Sequence, residues 1–359
     1  MNIKKYGKIL KNFFGEDITS ENIINFEQKV IDTRPCRIPF ENFEIYSNGE
    51  VYPCCADMLN YEKPAGSILT QSFNEIWNGE MLTDLRQRVL KGDYSCCKRD
   101  ICSAYEPFNG EPTDYKKGPK EIKICYDFEC NYSCINCRNF IKSNTPEELS
   151  LYNNVYLPKI LDAAANVKMI TLSGSGDPLF SRHSKHLIKE LIQKYPDIKI
   201  RLHTNGSLMN EETLRELGIE NNIYGVSVSL DAATPKTYRK IRRSNAFNKV
   251  VKNLEMISEW KKQGKIEWIT INFVVQILNY EEMPAFVKLA RSLDAKAFFT
   301  TYRPWQTSDI YKKYDEIAVF EPHNRYYKKL VKILHNRIFK DEKHCSLEPS
   351  LQNIAFEVR

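Results

Sequence analysis

The run Ile122-Lys-Ile-Cys-Tyr-Asp-Phe128-Glu-Cys130-Asn-Tyr-Ser-Cys134-Ile-Asn-Cys137 feeds a strand-like segment into three cysteines spaced C-x3-C-x2-C. Three thiolates on one tight loop suit three corners of a cubic iron–sulfur cluster, whereas a cluster that only transfers electrons ordinarily takes four. A missing ligand leaves one iron open, and an open metal position is where chemistry takes place. The competing readings are a zinc clip and three unrelated buried cysteines. Zinc wants a fourth Cys or His close by, and residues 138–145 offer none.

Beyond this loop, apolar patterns of period 2 and period 3.6 alternate along the chain. Strands are expected at residues 122–128, 167–172, 198–202, 223–230, 269–275 and 295–300. Helices are expected between them, at residues 153–165, 184–194, 211–217, 247–260 and 281–293. Such alternation implies an α/β fold with a parallel sheet and helical crossovers. A partial (β/α)6 TIM-like barrel fits better than a doubly wound sheet. Polar or glycine-rich stretches follow the strands (Ser173 to Pro178, His203 to Gly206, Ser227 to Asp231, Gln276 to Asn279, Thr301 to Trp305), and barrels keep their active sites at those strand ends.

With 359 residues the chain is long enough for a large domain and a small one. The expected plan is a cysteine-rich α+β module at 1–106, a Pro- and Gly-bearing linker at 107–119, the barrel at 120–305 and a helical extension at 306–359. The 52 basic and 46 acidic residues leave a formal charge of +6, which does not call for a nucleic-acid partner. No apolar stretch is long enough to span a bilayer, and the basic residues 1–11 are followed by no apolar signal segment, so a cytoplasmic protein is expected. Eleven cysteines are many for that compartment, where structural disulfides are rare. They gather at 36, 54, 55, 96, 97 and 102 and again at 125, 130, 134 and 137, with Cys345 apart, as metal ligands would.

The triplet resembles the signature of the radical S-adenosylmethionine (radical SAM) enzymes. So do Ser173-Gly-Ser-Gly-Asp-Pro178 and Ser227-Val-Ser-Leu-Asp231 with the following Tyr238-Arg-Lys-Ile-Arg242. The resemblance implies a [4Fe–4S] cluster on Cys130, Cys134 and Cys137 whose open iron chelates SAM. Reductive cleavage would give a 5′-deoxyadenosyl radical that abstracts a hydrogen atom from the substrate. Ser173 to Pro178 looks like the family's "GGEP" segment in its "SGxGEP" form, with Asp177 in place of Glu. By that likeness Gly174, Ser175, Gly176 and Asp177 hold the methionine amino group. Ser229 and Arg242 would meet the ribose or carboxylate, and Thr204 and Asn205 would line the cofactor site. Asn136 stands where the family often has an aromatic residue, and would instead hydrogen-bond the adenine edge. His203 reads as a packing residue. A flavodoxin- or ferredoxin-like electron donor is the expected partner.

Cys36 and Cys54 bracket two strand-like runs joined at Asn48-Gly49, in a Cys-x12-Gly-x4-Cys pattern. This resembles the opening of the SPASM or twitch auxiliary-cluster module, as does an amphipathic helix expected from Ser72 to Arg88. The implied ligands are Cys36, Cys54, Cys97 and Cys102 for one auxiliary [4Fe–4S] cluster, with Cys55 and Cys96 as possible substitutes for their neighbours. A structural zinc ion is the alternative. In most relatives this module follows the barrel; here it precedes it. The module favours oxidative modification or crosslinking of a peptide or protein, with a sugar or amino-acid-derived metabolite as runner-up. Tyr302, Arg303 and Trp305 are candidate substrate contacts, and residues 323–334 read as a basic amphipathic helix. A non-enzymatic iron–sulfur carrier or a zinc-stabilised binding protein would need neither the glycine-rich segment nor six βα units.

Overall fold

The structure is a computed structural model that describes residues 34–99, 102, 105–108, 115–138, 140–172, 176–303 and 313–356. Among the described residues, ten strands form one sheet: β1 (Asn42–Ile45), β2 (Glu50–Tyr52), β3 (Gly66–Ser67), β4 (Glu121–Ile124), β5 (Met169–Leu172), β6 (Lys199–Thr204), β7 (Ile223–Ser229), β8 (Trp268–Val275), β9 (Lys296–Thr301) and β10 (Cys345–Leu347). Their spatial order is β10-β9-β8-β7-β6-β5-β4-β1-β2-β3.

From β4 to β9 every strand is parallel to its sequence neighbour and the order never reverses. A doubly wound sheet reverses its order at a switch point, whereas a barrel does not. The six-strand core is therefore a partial barrel. Its strands alternate as the sequence pattern requires. In β8, Ile269, Ile271, Phe273 and Val275 are buried, and the residues between them face the other way. The opposite face is polar: Lys123, Thr171 and Arg201 stand in register, as do His203, Ser227 and Thr270.

Helices Arg182–Lys194, Phe247–Lys262 and Met283–Ser292 press apolar stripes onto the apolar face of the sheet. The helix expected at 153–165 starts earlier. Thr145 caps it in a reciprocal box with Glu148, Pro146 occupies its first turn, and one π-helical turn, Tyr152–Tyr156, interrupts it. The single helix expected from Ser72 to Arg88 is two, Phe73–Trp77 and Glu80–Leu90, separated at Asn78 and Gly79. The first strand regularly spans only Glu121–Ile124, so residues 125–129 are free to turn toward the cysteines.

The N-terminal module is joined to the barrel edge-on. β1 lies parallel to β4, from Asn42 opposite Glu121 to Ile45 opposite Ile124. Lys123 Nζ donates to Glu44 Oε1 at 2.9 Å, and Lys120 Nζ to Glu41 Oε1 at 2.6 Å. β1 turns back into β2 through Gly49, whose φ of 78° is the left-handed conformation such a turn demands. Phe40, Phe43, Trp77, Leu82, Leu85 and Val89 form the apolar heart of this part. At the far edge β10 pairs in parallel with β9, so the C-terminal segment adds a strand as well as helices. Among the described residues, no helix is long and apolar enough to cross a membrane.

Candidate active site

Two buried carboxylates fix the approach to the cysteine loop. Asp127 accepts from Glu129 N at 3.2 Å, Asn144 Nδ2 at 2.9 Å and Ser184 Oγ at 2.7 Å, and from Ser181 Oγ. Glu129 accepts from Arg182 N and Arg182 Nη2, both at 2.8 Å, and from Asn144 N at 3.2 Å. The loop is then closed by Cys130 N donating to Lys142 O at 2.9 Å and Ile135 N donating to Ile241 O at 3.0 Å. Cys134 is buried, and Cys130 and Cys137 are partly so.

The end of β5 is pressed against this approach. A Cβ on Gly176 would stand 2.5 Å from Glu129 O and 2.7 Å from Asp127 O, so only glycine fits. The amide of Asp177 donates to Glu129 O at 2.9 Å. Its carboxylate accepts from Leu179 N at 3.1 Å, Thr204 Oγ1 at 2.8 Å and Asn205 N at 2.7 Å. Asp177 thus ties the ends of β5 and β6 together. Burial pushes its carboxyl pKa up, against the pull of those donors.

Arg242 makes the third junction. It is 8 % exposed, its Nε donates to Ser229 O at 3.1 Å and its Nη2 reaches the same oxygen. Nη1 lies 3.5 Å from Cys134 Sγ and 3.4 Å from Asp231 Oδ2. The guanidinium therefore links the end of β7, the helix Pro235–Arg242 and the cysteine loop. Burial pushes the Cys134 thiol pKa up while Arg242 opposes the rise, and burial carries Cys130 up to about 11. Loading metal must displace protons from these thiols.

A pocket with a cavity volume of about 90 Å³ opens where these ends meet. It is lined by Cys130, Cys134, Cys137, Gly176, Asp177, Thr204, Asn205, Ser229 and Arg242, all anticipated from the sequence, and also by Tyr132, Arg138 and His203. His203, read as packing, faces the pocket, and burial brings its pKa down to about 4, so its imidazole is neutral near pH 7. Asn136 does not line the pocket, yet its Oδ1 is buried with no hydrogen-bond partner. Gly174 and Ser175 lie outside the described residues.

A second pocket, with a cavity volume of about 40 Å³, lies within the module. Cys36, Cys54, Cys97 and Cys102 all line it, and Cys55 and Cys96 do not. Its remaining wall is mainly apolar (Ile38, Met58, Leu59, Leu85, Val89), with Arg99 held between the rings of Tyr94 at 4.6 Å and Tyr105 at 4.2 Å. Both donor sets fit iron–sulfur clusters: three thiols beside an open pocket, and four thiols around an apolar one. Zinc draws its ligands to about 2.3 Å from one centre. Among the described residues, no three Cys, His, Asp or Glu side chains are placed to hold a single ion.

Of the expected substrate contacts, Tyr302 and Arg303 do not line the first pocket. Tyr302 is buried beside the Tyr314 ring, Arg303 pairs with Glu348 at 3.7 Å, and Trp305 is outside the described residues. Cys345 is buried on β10, at the opposite edge of the core from the module's cysteines. The residues that sequence reasoning passed over are Asp127, Glu129, Asn144 and Arg182. Two acids immediately before a cysteine loop were the available signal.

Residues 128–290 match the radical SAM superfamily, and residues 36–103 match the SPASM iron–sulfur cluster-binding domain. The GTP 3′,8-cyclase of Petrotoga mobilis is 26% identical over 196 residues, covering 53% of this chain and 58% of that protein. The GTPase Obg of Brachyspira hyodysenteriae is 30% identical over 174 residues, covering 46% of this chain and 25% of that protein. The chain thus spans at most a little over half the length of these relatives. Among solved structures, SuiB of Streptococcus suis bound to S-adenosylmethionine aligns at a TM-score of 0.46 and 15% identity, over 85% of this chain and 75% of that one.

Proposed function

Because the chain is a radical SAM protein with a SPASM iron–sulfur domain ahead of its barrel, we propose that it cleaves S-adenosylmethionine reductively and takes a hydrogen atom from a peptide or protein side chain, leading to oxidation or crosslinking. The observation that carries the cofactor part is the single pocket in which three thiols meet the ends of β5, β6 and β7. A cluster bound to Cys130, Cys134 and Cys137 supplies the electron for that cleavage.

The chain's own residues do the rest. Gly176 and Asp177 hold the end of β5 against the loop and shape the floor on which the methionine group rests. Thr204 and Asn205, locked by Asp177, form the adjoining wall. Ser229 offers its hydroxyl to the ribose or carboxylate. Arg242 holds the Ser229 carbonyl and the Cys134 sulfur in fixed relation and adds positive charge beside both. Asn136, next to Cys137 on the loop, belongs to the same proposed cofactor set, and its Oδ1 has no partner in the protein. In the module, Cys36, Cys54, Cys97 and Cys102 would hold an auxiliary cluster, which would supply an acceptor for the electron that the substrate-derived radical gives up as it becomes the oxidised product. Gly174 and Ser175 belong to the same proposed cofactor set.

A second reading, a small nucleotide-like or other metabolite as substrate, draws on the match to GTP 3′,8-cyclases over half of this chain. The test is anaerobic reconstitution with iron and sulfide, addition of SAM and dithionite, and measurement of 5′-deoxyadenosine. Wild-type product that is absent from Cys134→Ala supports the radical reaction. A fully iron-loaded protein that never yields 5′-deoxyadenosine, with or without candidate substrates, refutes it. Deuterium transfer into 5′-deoxyadenosine from labelled peptides or from labelled nucleotides separates the two substrate classes.

A further inference from the structure

Three of the module's pocket cysteines are tied to one small structure. Cys36 N donates to the Tyr94 hydroxyl at 3.1 Å, Cys97 N to Tyr94 O at 3.0 Å, and Cys102 N to Arg99 O at 3.1 Å. The Tyr94 and Tyr105 hydroxyls both donate to one carbonyl, Arg34 O, at 2.9 and 2.8 Å. Their rings stand edge to face, with centroids 6.4 Å apart and planes at 79°. The Arg99 guanidinium carbon lies over both rings, 4.6 Å from the Tyr94 centroid and 4.2 Å from that of Tyr105. Two ring walls fastened to a common carbonyl thus hold a cation in place.

That cation lines the pocket of Cys36, Cys54, Cys97 and Cys102, and among the described residues that line it no other side chain carries a fixed charge. Moving a guanidinium from water to an apolar wall costs free energy, which ring faces only partly offset. Lys98, one residue earlier, stays exposed. Two carboxylates act on these thiols, Glu106 on Cys36 and Glu44 on Cys54, and each has a cation of its own, Arg37 and Lys123. The potential of an iron–sulfur cluster follows its net charge, the hydrogen bonds to its sulfurs and its exposure. Apolar surroundings oppose the added negative charge of the reduced form, whereas a fixed cation favours it.

We propose that Arg99, held between Tyr94 and Tyr105, is a positioning residue that raises the reduction potential of a cluster on the four module thiols and so suits it to accept electrons. This rests on the reading above, in which an auxiliary cluster takes an electron from the substrate-derived radical. In that transfer the radical loses one electron and the cluster gains it, while Arg99 forms no bond and keeps its proton. The clamp serves the charge: without it a long arginine side chain would swing into solvent, where its field is screened.

The test is an anaerobic redox titration of the reconstituted full chain, without SAM or substrate, read by the electron paramagnetic resonance of the reduced cluster. Cys130→Ala/Cys134→Ala/Cys137→Ala, carried in every sample, leaves the module's cluster as the one that titrates. In that background Arg99→Gln removes the charge, Arg99→Lys keeps the charge without the planar stack, and Lys98→Gln removes an exposed charge that does not line the pocket. Expected for Arg99→Gln is an equilibrium constant for one-electron reduction about tenfold smaller, a fall of about 59 mV for a one-electron couple, at unchanged iron content. Arg99→Lys should stay within about threefold of the parent, and Lys98→Gln within about twofold. A potential that Arg99→Gln leaves unchanged or raises overturns the proposal. An equal fall in Arg99→Lys would assign the effect to packing, and an equal fall in Lys98→Gln to surface charge in general; either overturns it. If Arg99→Gln does not load iron, Tyr105→Phe decides: it keeps the ring but frees it from Arg34 O, and should lower the same constant at least about twofold. No change there overturns the proposal, as does zinc in place of a titrating cluster. The radical reaction is scored separately, by 5′-deoxyadenosine from the chain with its triplet intact, so its failure and that of the Arg99 assignment are read in different experiments.

Discussion

Replacing Gly176 by Ala tests whether the seam between the cysteine loop and the end of β5 sets the cofactor site. The added Cβ would lie 2.5 Å from Glu129 O, where ordinary contact begins at 3.4 Å, so the two backbones must separate by about 0.9 Å. Moving the neighbouring Asp177 amide by that amount stretches its 2.9 Å bond to Glu129 O to about 3.8 Å, beyond hydrogen-bond range. Overpacking and the lost bond together should cost roughly 2–4 kcal/mol of stability. A floor displaced by nearly 1 Å should also weaken SAM binding by at least about tenfold. Urea unfolding reads the first quantity, and equilibrium dialysis of SAM against the iron-loaded protein reads the second. A Gly176→Ala protein with wild-type unfolding midpoint and wild-type SAM affinity would refute the argument. A stability loss with unchanged affinity would confine the seam to a structural role.

Alanine at Cys36, Cys54, Cys97 or Cys102 should remove the auxiliary cluster, so iron bound after anaerobic reconstitution falls by about half. Cys55→Ala and Cys96→Ala should keep it, and equal iron in all six variants would contradict the four-ligand site. Arg242→Met should cost roughly 3–5 kcal/mol, because it leaves the buried Asp231 carboxylate without its cation at 3.4 Å; a loss under about 1 kcal/mol in urea titration would show that the pair is not what holds this junction. His183 and His203 are both brought down to about 4 by burial, below the ordinary histidine value. The unfolded chain therefore binds their protons first as pH falls. Their contribution is complete above about pH 6.5 and is lost between there and about pH 4, at most roughly 3 kcal/mol for each. The drop in unfolding free energy from pH 7 to pH 5 should shrink in His203→Asn, and an undiminished drop would count against this source of acid sensitivity.

The parallel core could be read from sequence because its strands bury one face and leave the other polar, a pattern local to each segment. The pairing of β1 with β4 could not be read. Each has four residues, their partner choice is tertiary, and nearly eighty residues separate them. The clustering of the cysteines could be read from the sequence, and the four proposed as auxiliary ligands line one pocket. The roles inside the cofactor pocket were less so. Asp177 looked like a group offered to a ligand, yet protein donors occupy both its oxygens. Arg242 looked like a ligand contact, and no spacing rule could place it beside Cys134. His203 looked inert because an isolated histidine in an alternating strand gives no sign of which face it takes. The break at Gly79 and the Thr145 cap were visible signals of helix ends that the apolar periodicity overrode.

The splice of β1 onto β4 has a consequence for how the protein is made. A ribosome releases the first two auxiliary cysteines, Cys36 and Cys54, long before β4, the strand that secures their hairpin. Until β4 emerges, β1 presents an unpaired edge, and such edges recruit other chains. The nascent module is therefore at its most aggregation-prone before the first barrel strand has been synthesised. Cutting the chain in the segment before β4 would leave each half with the bare edge that the other half covers.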